Sequence, residues 1–284
     1  MKNNLKIVFF GTPRVSVYVL EELKKADILP DLIITTPDKP AGRKLVLTPS
    51  PVKVWAEENF ISTFQPETLK DAKAIKVIKD EGPWDLFIVA AYGNILPKEI
   101  LDIPKAGTLN VHPSLLPRLR GASPIQTAIL DEEETGVSIM LVDEEMDHGP
   151  IVIQEKVDIS NIPKGSELSE KLFRMGGKNL TELIPDWVAG KMKAVEQEHN
   201  RATFTKKINK EDALLNLSGD PESNYKKIQA FNIWPRAYFF TEYKGKQIRI
   251  VITEANLENG KLIIKKVIPE GKKETLYEEF LRNK

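Results

Sequence analysis

The sequence predicts an α/β fold with a parallel-rich sheet, followed by a smaller C-terminal part rich in β-structure. Three observations carry this expectation. Residues 5–35 read strand, turn, helix, strand, a βαβ unit that sets two parallel strands side by side through a right-handed crossover. Apolar runs recur further on, at 84–91 (WDLFIVAA) and 136–142 (GVSIMLV), as strands buried on both faces require. From Phe204 the texture changes to strand-like runs separated by the turn pairs Lys244, Gly245 and Asn259, Gly260, which signal hairpins.

Composition bounds the chemistry. With 284 residues, 41% hydrophobic and 29% charged, the chain is long enough for two domains with a full core. No apolar run approaches the roughly 20 residues that span a bilayer. The first apolar run breaks at Gly11 without a small-residue cleavage site, so it reads as a strand and not a signal peptide. The absence of cysteine excludes disulfides, thiolate catalysis and Cys-ligated zinc. Three histidines, His112, His148 and His199, argue against a multi-histidine metal site, while a carboxylate magnesium site stays compatible with the composition. The net charge of zero hides an asymmetry. Residues 1–200 hold 24 Lys+Arg against 30 Asp+Glu, a net −6, and residues 201–284 hold 17 against 11, a net +6. A basic C-terminal part fits either a polyanionic partner or a lysine-rich solvated surface.

Taken in order, 5–10 (LKIVFF) is a buried strand, and 15–25 an amphipathic helix with Val15, Val19, Leu20 and Leu23 on one face. The turn between them is not GxGxxG, so the dinucleotide fingerprint is absent. A strand at 30–35 leads into 36–52 (TPDKPAGRKLVLTPSPV), a Pro-punctuated stretch read as a long loop and, for that reason, a functional one. Arg43 at its centre can clamp a phosphate or carboxylate, or serve as a solvated cation. A helix over 52–59, a strand at 62–65, a helix over 69–79 and the central strand 84–91 follow. Tyr92 begins the loop at the end of that strand, where open α/β sheets bind ligands. A short helix over 97–103, a helix over 125–130, an acidic turn at 131–134 and extended chain from 149 to 155 complete the sheet region. Helices are expected over 166–176 and 178–189, and a linker over 190–203. Beyond it come short helical pieces at 211–214, 222–230 and 278–281, with strands at 237–243, 246–253 and 261–267.

The chemistry centres on residues 107–126 (GTLNVHPSLLPRLRGASPIQ). Side chains alternate along a strand, so Asn110 and His112 share a face, and Pro113 ends the strand. The Asn110 amide can donate to a developing oxyanion, and the His112 imidazole can handle a proton near neutral pH. Asp147, in the loop after the 136–142 strand, is a candidate third member that orients His112; an Asx turn before Gly149 is the alternative. Sequence alone leaves its distance from His112 open.

These segments resemble one family. FGTP, PDKPAGR with LTPSPVK, AAYGNILP, NVHPSLLPRLRGASPIQ, TGVSIMLVDEEMDHGPI, QAFNIWPRAY and PEGKK occur in its order. SLLPRLRGASPIQ with the upstream Asn-x-His is similar to folate-dependent formyltransferases in general. PAGR–TPSPVK and AFNxWPxAY are similar to the methionyl-tRNA formyltransferases among them. The resemblance implies a Rossmann-like formyltransferase domain at 1–190, a linker at 191–205 and a small OB-like β-barrel for tRNA at 206–284, shortened between about residues 253 and 269. It implies formyl transfer from 10-formyltetrahydrofolate, as co-substrate and without a metal, to methionyl-initiator tRNA. Asn110, His112 and Asp147 are implied as catalytic. Ser114, Leu115, Leu116 and Pro117 are implied to bind folate, with the backbone near Tyr92 and Asp143 flanking the pterin. Arg43 is implied to reach the acceptor stem, although Leu45 and Val46 stand where the family carries more lysine. A cytoplasmic monomer without a membrane partner is expected. Formylation of a small amine, such as an amino sugar nucleotide or glycinamide ribonucleotide, hydrolysis of formyltetrahydrofolate, and a non-catalytic RNA-binding role are the alternatives.

Overall fold

Burial on both faces selects the first strand: β1 (Ile7–Gly11) is buried at every position, as an internal parallel strand requires. The structure, a computed structural model, describes residues 5–42 and 45–283. After β1, α1 (Arg14–Lys25) buries Val17, Val19, Leu20 and Leu23 and returns the chain to β2 (Leu32–Ile34), parallel to β1. The stretch read as an unstructured loop folds otherwise. β3 (Lys39–Ala41) and β4 (Val46–Thr48) pair as an antiparallel hairpin, and Thr35 Oγ1 and Ser50 Oγ share a buried hydrogen bond at its base, 2.8 Å long. Arg43 lies outside the described residues.

Ser50 accepts the Lys53 N–H and Pro51 occupies the first turn, so α2 (Pro51–Glu58) starts where cap chemistry sets it. β5 (Ser62–Phe64) pairs parallel with β2. α3 (Ala72–Asp80) begins later than expected because the Asp71 carboxylate caps it through the Lys73 N–H. β6 (Leu86–Ala90) runs parallel to β1, α4 (Lys98–Leu101) follows, and β7 (Thr108–His112) runs parallel to β6. Then come β8 (Arg120–Gly121), α5 (Pro124–Asp131), β9 (Glu134–Leu141), antiparallel to β7, and β10 (Ile151–Asp158). The seven-stranded order β10-β9-β7-β6-β1-β2-β5 is a mostly parallel, Rossmann-like sheet.

The two helices expected after β10 are one, α6 (Gly165–Val188), of 24 residues. Gly176 and Gly177 do not break it; they let it approach its neighbours. A β-carbon on Gly176 would stand 2.3 Å from Val111 Cγ1, and one on Gly177 would stand 2.9 Å from Glu22 Cβ. Each glycine costs a helix about 1 kcal/mol against alanine, and close packing of α6 on β7 and α1 offsets that.

The chain divides into two compact units. The first takes the residues up to Arg120 with 136–156 and 169–204; the second takes 121–135, 157–168 and 205–284. β11 (Phe204–Thr205) pairs with β8. In the second unit α7 (Pro221–Ala230) packs on α5. β12 (Tyr238–Tyr243), β13 (Lys246–Glu258), β14 (Lys261–Pro269) and β15 (Thr275–Leu276) form an antiparallel sheet in that order, closed off by α8 (Tyr277–Arg282). Lys244, Gly245, Asn259 and Gly260 all take positive φ, the primed hairpin turns that match strand twist. Ile228, Phe239, Ile250, Ile252, Val267 and Phe280 form its core. Among the described residues β12 and β15 are edges not joined to each other: the second unit holds an antiparallel sheet that does not close into a barrel. No described helix is long and apolar enough to cross a membrane.

Candidate active site

The end of β7 carries the candidate pair. Asn110 and His112 project from one face by strand alternation, while Val111 turns to the other, against Gly176. Asn110 is half-buried and stands opposite Val89 on one side and Met140 on the other. His112, 4% exposed, stands opposite Ser138. The Asp147 carboxylate does reach the ring: its Oδ1 lies 3.4 Å from His112 Nδ1. The other ring nitrogen, Nε2, lies 3.3 Å from the Leu119 carbonyl oxygen. Leu119 holds a left-handed φ of 59° and its N–H donates to Thr203 Oγ1 at 2.8 Å. Asp147 is also left-handed, with φ 52°.

The segment implied to bind folate is braced from below. Ser114 is fully buried, and its Oγ donates to the Arg118 carbonyl at 2.7 Å. Ser138 Oγ donates to the Ser114 carbonyl at 2.6 Å and accepts from the Leu116 N–H at 3.1 Å. Gln154 Nε2 donates to the Leu116 carbonyl at 2.8 Å. Leu115 packs where a β-carbon on Gly136 would fall. Leu116 and Pro117 line an open depression of about 480 Å³ with Ile151, Ile153, Gln154 and Arg201, which Asn110, His112 and Asp147 do not line.

Tyr92 is buried edge-on against Phe10, and burial raises its phenol above the ordinary value. Its carbonyl accepts from Thr12 Oγ1 at 3.2 Å. Asp143 Oδ2 lies 2.7 Å from His148 Nδ1. No group of three or more His, Cys, Asp or Glu among the described residues could hold a metal ion.

Sequence reasoning missed the supports. Gln197, Arg120 and Thr203 all bear on the His112 surroundings, and two of them fall in the stretch 191–205 read as a linker. Polar runs such as EQEHNR carry no periodicity that marks a buried residue.

A carboxamide beside an imidazole–carboxylate pair can steady a developing oxyanion and move a proton at one carbonyl carbon, the needs of an acyl-group transferase. The formyl transferase family matches residues 5–184, and the chain belongs to it. Within that family it is similar to methionyl-tRNA formyltransferases. It is 40% identical to that of Chloroflexus aurantiacus over 248 residues, covering 87% of this chain and 79% of the relative. It is 37% identical to that of Halalkalibacterium halodurans, covering 98% of this chain and 94% of the relative. A solved N-formyltransferase from Helicobacter canadensis, in complex with folinic acid and dTDP-3-aminofucose, is similar in fold with a TM-score of 0.62 at 19% identity, over 89% of each chain.

Proposed function

We propose that the protein transfers the formyl group of 10-formyltetrahydrofolate to the free amine of methionyl-initiator tRNA, the step that readies this tRNA for translation initiation. The observation that carries the reading is kinship to a methionyl-tRNA formyltransferase over 98% of the chain. The proximity of His112 and Asp147 supports the chemistry.

In this mechanism the amine attacks the formyl carbon, and negative charge gathers on the formyl oxygen. Asn110 donates to that oxygen, a contribution of about 3 kcal/mol in comparable oxyanion sites. His112 removes the proton from the attacking amine and returns it to the folate nitrogen as the old carbon–nitrogen bond breaks. Asp147 steadies the imidazolium formed in between. Atoms balance: one C–N bond forms, one breaks, and one proton moves from amine to leaving nitrogen.

The segment Ser114, Leu115, Leu116 and Pro117 holds the folate, with the backbone at Tyr92 and Asp143 beside its pterin. The folinic acid held by the Helicobacter canadensis protein supports this assignment. Arg43 and an OB-like part at 206–284, with a linker at 191–205, supply the tRNA contacts; the net +6 of residues 201–284 supports that role.

One assay tests the whole. Purified protein receives 10-formyltetrahydrofolate with charged initiator tRNA, uncharged tRNA, an amino sugar nucleotide or buffer alone. Formyl-methionine formed only with charged tRNA is the expected result. Donor turnover in buffer alone makes the protein a hydrolase, and formylation of the sugar nucleotide in place of tRNA makes it a small-amine enzyme.

A further inference from the structure

Gln197 is 5% exposed, and all four hydrogen-bonding positions of its amide are in use. Its Nε2 donates to the carbonyl oxygens of Asp147 at 3.0 Å and Gly149 at 2.7 Å. Its Oε1 accepts from Arg120 Nε at 3.2 Å and Nη2 at 2.7 Å. Arg120 is itself 4% exposed, and its Nη2 lies 2.9 Å from His199 Nδ1. His199 stacks on His148 at 4.0 Å.

Three features make this more than packing. Asp147 holds a left-handed φ without being glycine, which Asp tolerates better than most residues and at some cost in strain that contacts to its main chain offset. The peptide that Gln197 grips belongs to the residue whose carboxylate stands 3.4 Å from His112. The grip is then oriented by a guanidinium whose planar donors admit few geometries.

We infer that Gln197, set by Arg120, is a positioning residue that fixes the Asp147 carboxylate against His112. The inference rests on the proposed roles of His112 and Asp147. Gln197 touches neither substrate nor reacting atoms; it acts by holding the main chain that carries the acid.

The test is a mutant cycle on the full-length enzyme. Gln197→Met removes both donors and both acceptors at similar volume. Gln197→Glu keeps the acceptors for Arg120, and so keeps its buried partner, but turns an oxygen toward the Asp147 and Gly149 carbonyls. Both are expected to lower kcat about 10–100-fold with the KM for tRNA and for folate nearly unchanged, because small misplacements of a reacting set cost that much. The double variants with Asp147→Asn are expected to lose no more than Asp147→Asn alone, since two residues that act as one do not add. A folded Gln197→Met or Gln197→Glu enzyme with wild-type kcat, beside an impaired Asp147→Asn, overturns the inference and leaves the site reading standing. Losses that multiply in the double variants overturn it as well, since they mark a separate structural role. An Asp147→Asn enzyme with wild-type kcat overturns the site reading, and this inference with it.

Discussion

The carbonyl oxygen of Leu119 faces Nε2 of His112 at 3.3 Å, while the Asp147 carboxylate faces Nδ1. Both ring nitrogens therefore look at acceptors, and both acceptors are used only when both nitrogens carry hydrogen. In the proposed mechanism His112 carries both hydrogens once it has taken a proton, and the two acceptors match that charged form. Thr203 fixes the Leu119 peptide through its N–H. Thr203→Val removes that acceptor and is expected to lower kcat about 2–10-fold, the worth of one neutral hydrogen bond. Steady-state kinetics beside a melting curve checks it; an unchanged kcat shows that the setting of the Leu119 carbonyl does not bear on His112.

His112→Ala is expected to lower turnover about 10²–10⁴-fold. Asn110→Ala is expected to lower it about 10²–10³-fold, in kcat and not in KM, as loss of an oxyanion donor does. Single-turnover rates with saturating charged tRNA measure both. Full activity in either variant takes that residue out of the mechanism.

Gly176 meets Val111, which lies between Asn110 and His112. Gly176→Ala is expected to destabilise the protein by about 1–3 kcal/mol through overpacking. It should also lower activity more than a surface change of equal stability cost. Val111→Ala added to it vacates the clashing methyl and is expected to restore part of both. Denaturant midpoints and kcat for the single and double variants give the answer.

Glu22 lies under α6, where Lys25 Nζ stands 2.7 Å and Arg174 Nη1 stands 3.0 Å from its Oε1. Burial pushes its carboxyl up, but the hydrogen bonds from Lys25 and Arg174 outweigh burial and hold it below the usual carboxylate value. A carboxyl lowered on folding adds stability above its unfolded value, and that stability is lost as pH falls through the folded value. The wild type is therefore expected to lose stability as pH drops from neutral through the range of about pH 4–5 and below. Glu22→Gln should show a shallower fall over the same range. Urea midpoints from neutral to acid pH measure it; parallel curves would contradict the assignment.

Arg43→Ala is expected to raise the KM for tRNA more than the KM for folate. Its tRNA affinity should also fall less steeply with salt, by about one phosphate contact in the logarithmic slope. An effect confined to folate would remove Arg43 from the tRNA surface.

Much of the first unit was legible because its signals are local. Apolar runs marked β1, β6 and β9, alternation put Asn110 and His112 on one face, and the blocks around them pointed to formyl transfer. Long-range effects were not legible. Gly176 and Gly177 read as a helix break because glycine is a poor helix former; only β7 and α1 beneath explain why a side chain there is excluded. The 36–52 stretch read as bare loop because its prolines hid a pairing of three residues a side. In the second unit the turn pairs announced the hairpins, but whether a sheet closes depends on contacts between distant strands, which turn residues do not encode. Asp147 could be named from its motif, whereas the amide that secures it lies fifty positions away in sequence.

Gln197 pulls on the Asp147 loop while Thr203 pulls on Leu119. The chain between these two anchors thus works as a ruler spanning both flanks of one imidazole. A single added or deleted residue in that interval would throw one anchor out of phase with the other, so insertions compatible with activity must fall elsewhere.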